Sequence, residues 1–435
     1  MISNIKIPMF KKKWRKYSIR ARDFLRFIAL ELFKKSPLFL LKLENTKPLD
    51  YFLSGQFHFE SEHSHIEKSL LPRIYLTKNE WDSYLKSTKE EIDFTAIHKK
   101  RKLNDRITIG FFCSYSDSHF FEKTILPYSK IDSKIDWILC KFTDFPAPKK
   151  LYGINLIVFK DVNSAKLFCD LNVDFIIDAD GPLRPTKTLE LLKCSSSFVL
   201  NYYNLITTSN KQFYDALLVP KGVVPAPIVT EKKIIYLDVL GSWNLPPTSF
   251  GVINYSKIYH FAIIGEQFKI GTEFLESFCY LSHKYKFIFI GMKFEKFLII
   301  KMKEYGWNLS NIYFECHMPL VKLERLLKNK VFTILDIPNY SSGSGTIIGL
   351  SIGIPTICKN GSFWINQMAS SIMNKTGNTD YVYQELTQIE YILNKHMLNY
   401  IEFEVNIENS ARISGYLNPE IFLKELHKKL VDTFF

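Results

Sequence analysis

The most informative part of the sequence is ILDIPNYSSGSGTIIGLSIGIP, residues 334–355. One apolar run ends at Asp336, a loop of small polar residues follows, and a second apolar run begins near Ser344 and ends at a Gly353–Pro355 turn. This order predicts a strand, a loop, a helix and a tight turn. A helix that begins after glycine and hydroxyl residues offers backbone N–H groups to a phosphate. The loop matches neither GxxxxGK[ST] nor GxGxxG, so close packing of small residues explains the spacing equally well.

Short apolar runs alternate with amphipathic segments on both sides of this stretch. The runs that are typical of buried strands are 107–113, 137–140, 154–159, 175–177, 198–200, 216–219, 261–264, 287–290, 312–314, 332–335 and 356–358. Such alternation predicts parallel sheets with crossover helices. A proline-rich passage at 220–247 interrupts it, so we predict two successive doubly wound units that place a ligand site between them.

Two helices have clear starting points in the sequence. Gly271 and Thr272 begin one that runs to about His283, and Asn418 with Pro419 begins the last one as an N-cap followed by proline.

Composition excludes several classes of protein. The chain has 435 residues, 46% of them hydrophobic, which is too apolar for a disordered tail. Its seven cysteines are scattered singly, which excludes a zinc ribbon and argues against a disulfide scaffold. Neither a spanning apolar run nor a signal peptide is evident, so we expect a reduced, cytoplasmic location.

Most of the net charge of +13 lies at one end of the chain. Residues 1–50 hold 13 Lys or Arg against 4 Asp or Glu, a net +9. Apolar residues at helical spacing between Tyr17 and Leu32 make this a basic amphipathic segment. Residues 1–41 either lie on an anionic membrane at its cytoplasmic face or pack on the rest of the protein. Nucleic acid is not expected, because basic and aromatic residues do not alternate elsewhere.

Five stretches follow one another in a recognisable order between residues 105 and 435. They are RITIGFFCSYSDSH at 106–119, DFIIDADG at 174–181, the segment 231–247 with Tyr236 and Trp243, GEQFKIGT at 265–272, and the stretch from 334 to 361. Together they resemble the O-GlcNAc transferase family and its bacterial relatives, the adhesin-modifying N-glucosyltransferases. The resemblance implies a GT-B fold, in which two Rossmann-like domains face each other across a cleft, and an inverting transfer from a UDP-sugar.

The resemblance also implies roles for the residues that bind the donor diphosphate. Lys269 and the helix start at Ser344, Gly345 and Thr346 would neutralise the leaving diphosphate without a metal. Considered without the family, Lys269 is equally a solvated surface lysine. His317 follows a strand in the half where the family holds uracil, although a loop histidine is often structural.

Two residues of the first half are candidates for acid–base chemistry. His119 stands where the family places a histidine that faces sugar and acceptor, and a histidine can hold a proton at neutral pH. Asp180 belongs to a DxD sequence with Asp178, which binds a divalent metal in another glycosyltransferase architecture; here it matches a metal-free loop of the family. We therefore expect no metal and no cofactor besides the UDP-sugar substrate.

One departure concerns ribose binding. The aspartate with which the family holds the ribose is replaced by Ile348. Either another residue binds the ribose, for which Glu324 is the candidate, or donor binding is altered or lost. The peptide-presenting repeat helices of the eukaryotic members are also absent from the sequence.

We therefore predict four regions: a basic segment at 1–50, a helical lead-in at 51–104, an acceptor-side domain at 105–250 and a nucleotide-sugar domain at 251–435. The predicted function is transfer of a hexose or N-acetylhexosamine from a UDP-sugar to a glycan or lipid-linked glycan of the cell surface. Two alternatives stay open: glucosylation of a protein such as a bacterial adhesin, and a catalytically silent glycosyltransferase-like scaffold.

Overall fold

A computed structural model describes part of the chain. The described residues are 57–59, 74–76, 106–112, 131, 134–142, 155–159, 173–178, 198–202, 215–223, 233–238, 257–265, 269–292, 295–338, 340–361, 364–398 and 418–435. The basic segment at 1–50 lies outside them. Within 51–104, where the sequence predicts a helical lead-in, the structure describes two short parallel strands, β1 (Phe57–Phe59) and β2 (Ile74–Leu76).

Seven parallel strands form the first large sheet. They are β3 (Ile107–Phe112), β4 (Ile135–Phe142), β5 (Asn155–Phe159), β6 (Phe175–Asp178), β7 (Phe198–Tyr202), β8 (Ala216–Pro220) and β9 (Ile234–Leu237). Their order is β5-β4-β3-β6-β7-β8-β9. Strands β6 and β8 are buried along their whole length, which is why they are continuous apolar runs in the sequence.

Within the described residues, six parallel strands and six α-helices form the second unit. In chain order they are β10 (Tyr259–Ile264), α1 (Thr272–Lys284), β11 (Phe287–Ile290), α2 (Glu295–Glu304), β12 (Ile312–Glu315), α3 (Leu320–Lys330), β13 (Val331–Leu335), α4 (Gly343–Ser351), β14 (Thr356–Lys359), α5 (Trp364–Lys375), β15 (Val382–Tyr383) and α6 (Gln388–Leu398). The strand order is β12-β11-β10-β13-β14-β15. The unit is therefore doubly wound, as the sequence predicts.

Side chains of alternate strand residues pack on opposite faces of the second sheet. Phe261 and Ile263 of β10 pack in a core with α1, α2 and α6. Ala262, between them, packs in the core of the other face with α3 and α4. This alternation buries the sheet on both sides.

The last helix, α7 (Pro419–Phe434), packs on the first sheet. Asn418 caps it by accepting hydrogen bonds from the N–H groups of Glu420 and Ile421. Its apolar residues Phe422, Leu423, Leu426 and Leu430 share one core with strands β3, β4 and β6 to β9. The predicted domain limits 105–250 and 251–435 place this helix with the second sheet, so the structure differs there: the chain returns to the first sheet to cover one of its faces.

A buried histidine links α6 to the strand β13. His396 Nε2 donates to the carbonyl of Phe332 at 3.2 Å, and its Nδ1 accepts from the Tyr381 hydroxyl at 3.0 Å. Burial, aided by the charge of Lys257, lowers the pKa of His396 to about 4. The folded protein therefore holds this imidazole neutral where an unfolded chain would protonate it.

We expect this histidine to weaken the fold in acid. As the pH falls from 6.5 towards 4, the unfolded state binds a proton that the folded state refuses, and up to about 3 kcal/mol of stability is lost. Glutamine does not titrate, so His396→Gln should not lose this stability in acid. The difference between its free energy of unfolding in urea and that of wild type should therefore shrink between pH 7 and pH 4.5. Thr376→Val, which removes a buried hydroxyl directly after α5 and no titratable group, should keep a constant difference from wild type in the free energy of unfolding. Parallel pH profiles for wild type and His396→Gln would contradict the prediction.

Among the described residues, no helix has the length and hydrophobicity required to span a membrane.

Candidate functional site

The candidate site lies at the carboxyl ends of β10 and β13. These two strands are neighbours in the middle of the second sheet, but the chain reaches β13 only after building β11 and β12 on the far side of β10. The direction of strand order therefore reverses between them, and in open α/β sheets ligands bind in the crevice at that position. Lys269 follows β10 and helix α4 follows β13, so both lie next to this crevice.

A buried carboxylate holds the loop between β13 and α4. Asp336 directly follows β13 and is 3% exposed. One of its oxygens accepts a hydrogen bond from the Ser341 hydroxyl and the other from the Ser342 N–H, both at 2.7 Å. The Ser341 oxygen in turn accepts the N–H of Ala369 on α5 at 2.7 Å. This chain of bonds connects the end of β13 to the first turn of α4 and to α5.

The first turn of α4 is capped by a serine. Ser342 Oγ accepts from the Gly345 N–H at 3.3 Å, and its carbonyl accepts both the N–H and the hydroxyl of Thr346. The first N–H groups of a helix have no partner within the helix, so those of Gly343 and Ser344 are the ones this geometry leaves for a ligand. The cap therefore leaves two backbone N–H groups at the helix start, an arrangement that can bind an anion.

The Lys269 side chain is held against an aromatic ring. Its ammonium lies 4.5 Å from the centroid of the Tyr340 ring, which is within cation–π range. On the other side lies Gly265, whose φ of +144° suits glycine, and a Cβ added there would stand only 3.3 Å from Lys269 Cδ. The glycine at the end of β10 thus leaves space for the lysine stem.

The charge of Asp336 is disfavoured by its surroundings. Burial raises the pKa of this carboxyl to about 6, although the hydrogen bonds from Ser341 and Ser342 and the charge of Lys269 all act to lower it. The nearby thiol of Cys358 on β14 and the hydroxyl of Tyr383 on β15 are buried as well, and the pKa of each is raised by burial first and by Asp336 second.

The structure separates the residues predicted at the start of α4. Ser344 is exposed in the first turn, whereas Gly345 and Thr346 are buried. The Thr346 hydroxyl donates at 2.8 Å to the carbonyl of Ser342, so it serves the helix and is not presented to solvent. A side chain at Gly345 would meet the capping oxygen of Ser342 at 2.7 Å, which explains the glycine. Ser344 is therefore the hydroxyl available to a ligand in this turn.

The predicted nucleoside contacts lie farther along the same edge. His317 is exposed in the loop after β12, across β11 from Lys269. Glu324 is partly buried in α3, the helix whose Leu323 and Leu327 pack with α4. Both roles stay predictions.

The position that departs from the family's ribose aspartate is part of the core. Ile348 is 4% exposed and packs with Leu327 and Ile352 in the apolar cluster between α3, α4 and β13. This apolar environment favours an isoleucine over a charged side chain.

The two acid–base candidates, His119 and Asp180, lie outside the described residues. The strands that precede them in the sequence, β3 and β6, are adjacent in the first sheet and flank the point where its strand order reverses. Asp178, the last residue of β6, is 1% exposed.

Two site residues were missed by the sequence reasoning, Asp336 and Tyr340. For Asp336, the sequence offers one indication: it directly follows an apolar run. A strand end that enters a loop leaves backbone N–H groups that need hydrogen-bond acceptors. The contact of Tyr340 with Lys269 joins residues 71 positions apart, and no local pattern reveals it.

Within the described ranges, no three His, Cys, Asp or Glu side chains are arranged to hold a metal ion.

Comparison with solved structures identifies the fold. The Thermobaculum terrenum O-GlcNAc transferase, solved as a lysine-to-methionine mutant, matches with a TM-score of 0.67 and 14% identity over 81% of this chain and 72% of that chain. HepE of Anabaena, in complex with UDP and glucose, matches with a TM-score of 0.52 and 9% identity over 75% and 100% of the two chains. Sucrose-phosphate synthase from Thermosynechococcus elongatus gives 0.50 and 9% over 76% and 99%.

These similarities confirm the predicted GT-B fold, with two Rossmann-like parallel sheets. No protein-family model matches the sequence, and no curated protein matches it.

Proposed function

We propose that this protein is an inverting glycosyltransferase that transfers a hexose or N-acetylhexosamine from a UDP-sugar to an acceptor in cell-surface glycan assembly. The observation that carries the proposal is the position of Lys269: it follows β10 and contacts Tyr340, in the loop that leads from the neighbouring strand β13 into α4. A fixed cation and a helix N-terminus that face one crevice suit a diphosphate. Two of the solved structures that share the fold support a nucleotide-sugar donor, since one is named as a transferase and the other contains UDP and glucose.

The chemistry follows from where charge develops. An acceptor hydroxyl attacks the anomeric carbon of the sugar, the bond from that carbon to the β-phosphate oxygen breaks, and the electron pair leaves with UDP. Lys269 and the N–H groups of Gly343 and Ser344 stabilise the negative charge that grows on the diphosphate. We assign removal of the acceptor proton to His119 or Asp180. Because a lysine and a helix start neutralise the diphosphate in this scheme, the proposed donor binds without a metal.

Donor binding tests the proposal directly. In calorimetry with EDTA present, we expect UDP, UDP-glucose, UDP-galactose and UDP-N-acetylglucosamine to bind more tightly than GDP-mannose. The best of these donors should raise the unfolding temperature of the protein as its concentration increases. Mass spectrometry of a membrane extract incubated with that donor should then show an acceptor that has gained one sugar.

Failure to bind any UDP-sugar at millimolar concentration would contradict the proposal and favour the silent scaffold. A gain of hexose on asparagine of a co-expressed protein, with unchanged surface glycan, would instead select protein glycosylation. Attachment to a membrane through residues 1–41 stays a prediction from the sequence.

A further inference from the structure

A charged group in the second unit is retained at a cost to the fold. Asp336 is buried at the end of β13, with Lys269 as the cation near it, Cys358 of β14 and Tyr383 of β15 as titratable neighbours, and Ser341 and Ser342 as hydrogen-bond donors. A pKa of about 6 means that folding favours the neutral carboxyl, yet at neutral pH the group is mostly ionised. An asparagine has the same shape without that cost, so stability alone does not account for the aspartate.

The hydrogen bonds show what the carboxylate does that an amide would not. One of its oxygens accepts from Ser341 and the other from Ser342, and the Ile337 N–H also donates to this carboxyl. The Ser341 hydroxyl must in addition accept the Ala369 N–H. An asparagine would keep an acceptor for the Ser342 N–H but turn an NH₂ group towards Ser341, whose hydroxyl hydrogen would lose its acceptor. Only the carboxylate satisfies both serines and keeps the link to α5.

We propose that Asp336 is a positioning residue for the donor diphosphate: its carboxylate fixes Ser341 and Ser342, and thereby holds the first turn of α4 and the Tyr340 ring against Lys269. This inference rests on the proposed function, because it assigns Asp336 to the same donor site. The residue itself is buried and acts through the loop that it ties down.

Asp336→Asn distinguishes this role from a purely structural one, because it should change the unfolding temperature and the affinity for UDP in opposite directions. At pH 8 the variant should unfold at a temperature about 2–4 °C higher than wild type, because removal of the buried charge outweighs the loss of the Ser341 hydrogen bond. Its dissociation constant for UDP, measured by calorimetry at the same pH, should rise about tenfold, because the helix start is no longer fixed. A residue that acted only through its negative charge would show the opposite, since loss of an anion would strengthen the binding of UDP.

Two further variants complete the experiment. Ser341→Ala breaks the same link from its other side, so it should also weaken UDP binding about tenfold, and the double variant should bind no more weakly than either single one. The matched control is Thr333→Val, which removes a buried hydroxyl in the middle of β13 that donates to the carbonyl of His260 near the start of β10. It should lower the unfolding temperature and leave UDP affinity unchanged.

Each outcome has a defined consequence. Tighter or unchanged UDP binding by Asp336→Asn overturns this inference alone, and so does a variant that loses stability and affinity together. Additive losses in the double variant also overturn it. If wild type itself binds neither UDP nor any UDP-sugar, the proposed function fails and the inference falls with it.

Discussion

Lys269→Met should lower kcat for sugar transfer by ~100- to 1,000-fold, corresponding to about 3–4 kcal/mol of lost transition-state stabilisation. Methionine retains much of the aliphatic stem that lies between Gly265 and the Tyr340 ring, and it removes only the ammonium group. The loss should fall mainly on kcat, because the charge on the leaving diphosphate grows as the bond to the sugar breaks. Single-turnover transfer with the best donor measures the effect.

The controls isolate the charge at this position. Lys269→Arg keeps a cation and should retain more activity than the methionine variant, although its planar group fits the space beside Gly265 less well. Lys303→Ala removes an exposed lysine of α2 in the same unit and should leave kcat unchanged. Equal kcat values for Lys269→Met and wild type would remove Lys269 from the proposed chemistry.

The sequence predicts the fold well because buried parallel strands are conspicuous. Each of the eleven apolar runs coincides with a strand, and the starts of α1 and α7 are confirmed at Thr272 and Asn418. Strand β9 was not predicted. It is an edge strand of four residues in which only Ile235 and Leu237 are buried, and its apolar pattern is correspondingly weak.

The candidate site was predicted in part, for a physical reason. Lys269 and Ser344 belong to short local patterns at strand ends, and the structure brings their loops to neighbouring strands. The burial of the Thr346 hydroxyl depends on which face of α4 packs against the sheet. The role of Asp336 depends on bonds to Ser341 and Ala369 across three elements, and such contacts arise only in the folded chain.

Residues far apart in the sequence also determine how the first sheet is covered. Helix α7 belongs to its core although nearly 200 residues separate it from β9: the Asp238 N–H donates to Glu425 at 2.7 Å, and Lys429 donates to the carbonyl of Tyr236. At the end of the helix, the Phe434 ring lies 4.4 Å from that of Phe198 on β7. The second unit is thus enclosed in sequence between parts of the first, because the helix that covers the first sheet follows the second unit in the chain.

Leu426→Asp should therefore unfold the first sheet while the second unit survives. Leu426 is fully buried among Phe422, Leu430 and the strands of the first sheet, and a carboxylate placed there without a partner costs several kcal/mol. We expect the unfolding transition of the first unit to fall by more than about 10 °C, and Leu426→Ala, which leaves a cavity worth about 2–5 kcal/mol, to give an intermediate shift.

Limited proteolysis followed by mass spectrometry tells which unit is affected. Leu426→Asp should be cleaved rapidly within residues 106–238, whereas residues 257–398 should remain protected, because the cores that flank the second sheet contain no residue of α7. Lys428→Asp introduces the same side chain on the exposed face of α7, two positions away, and should resemble wild type. Equal loss of protection in both units would show that they fold as one cooperative body, and the candidate site would then depend on α7 as strongly as the first sheet does.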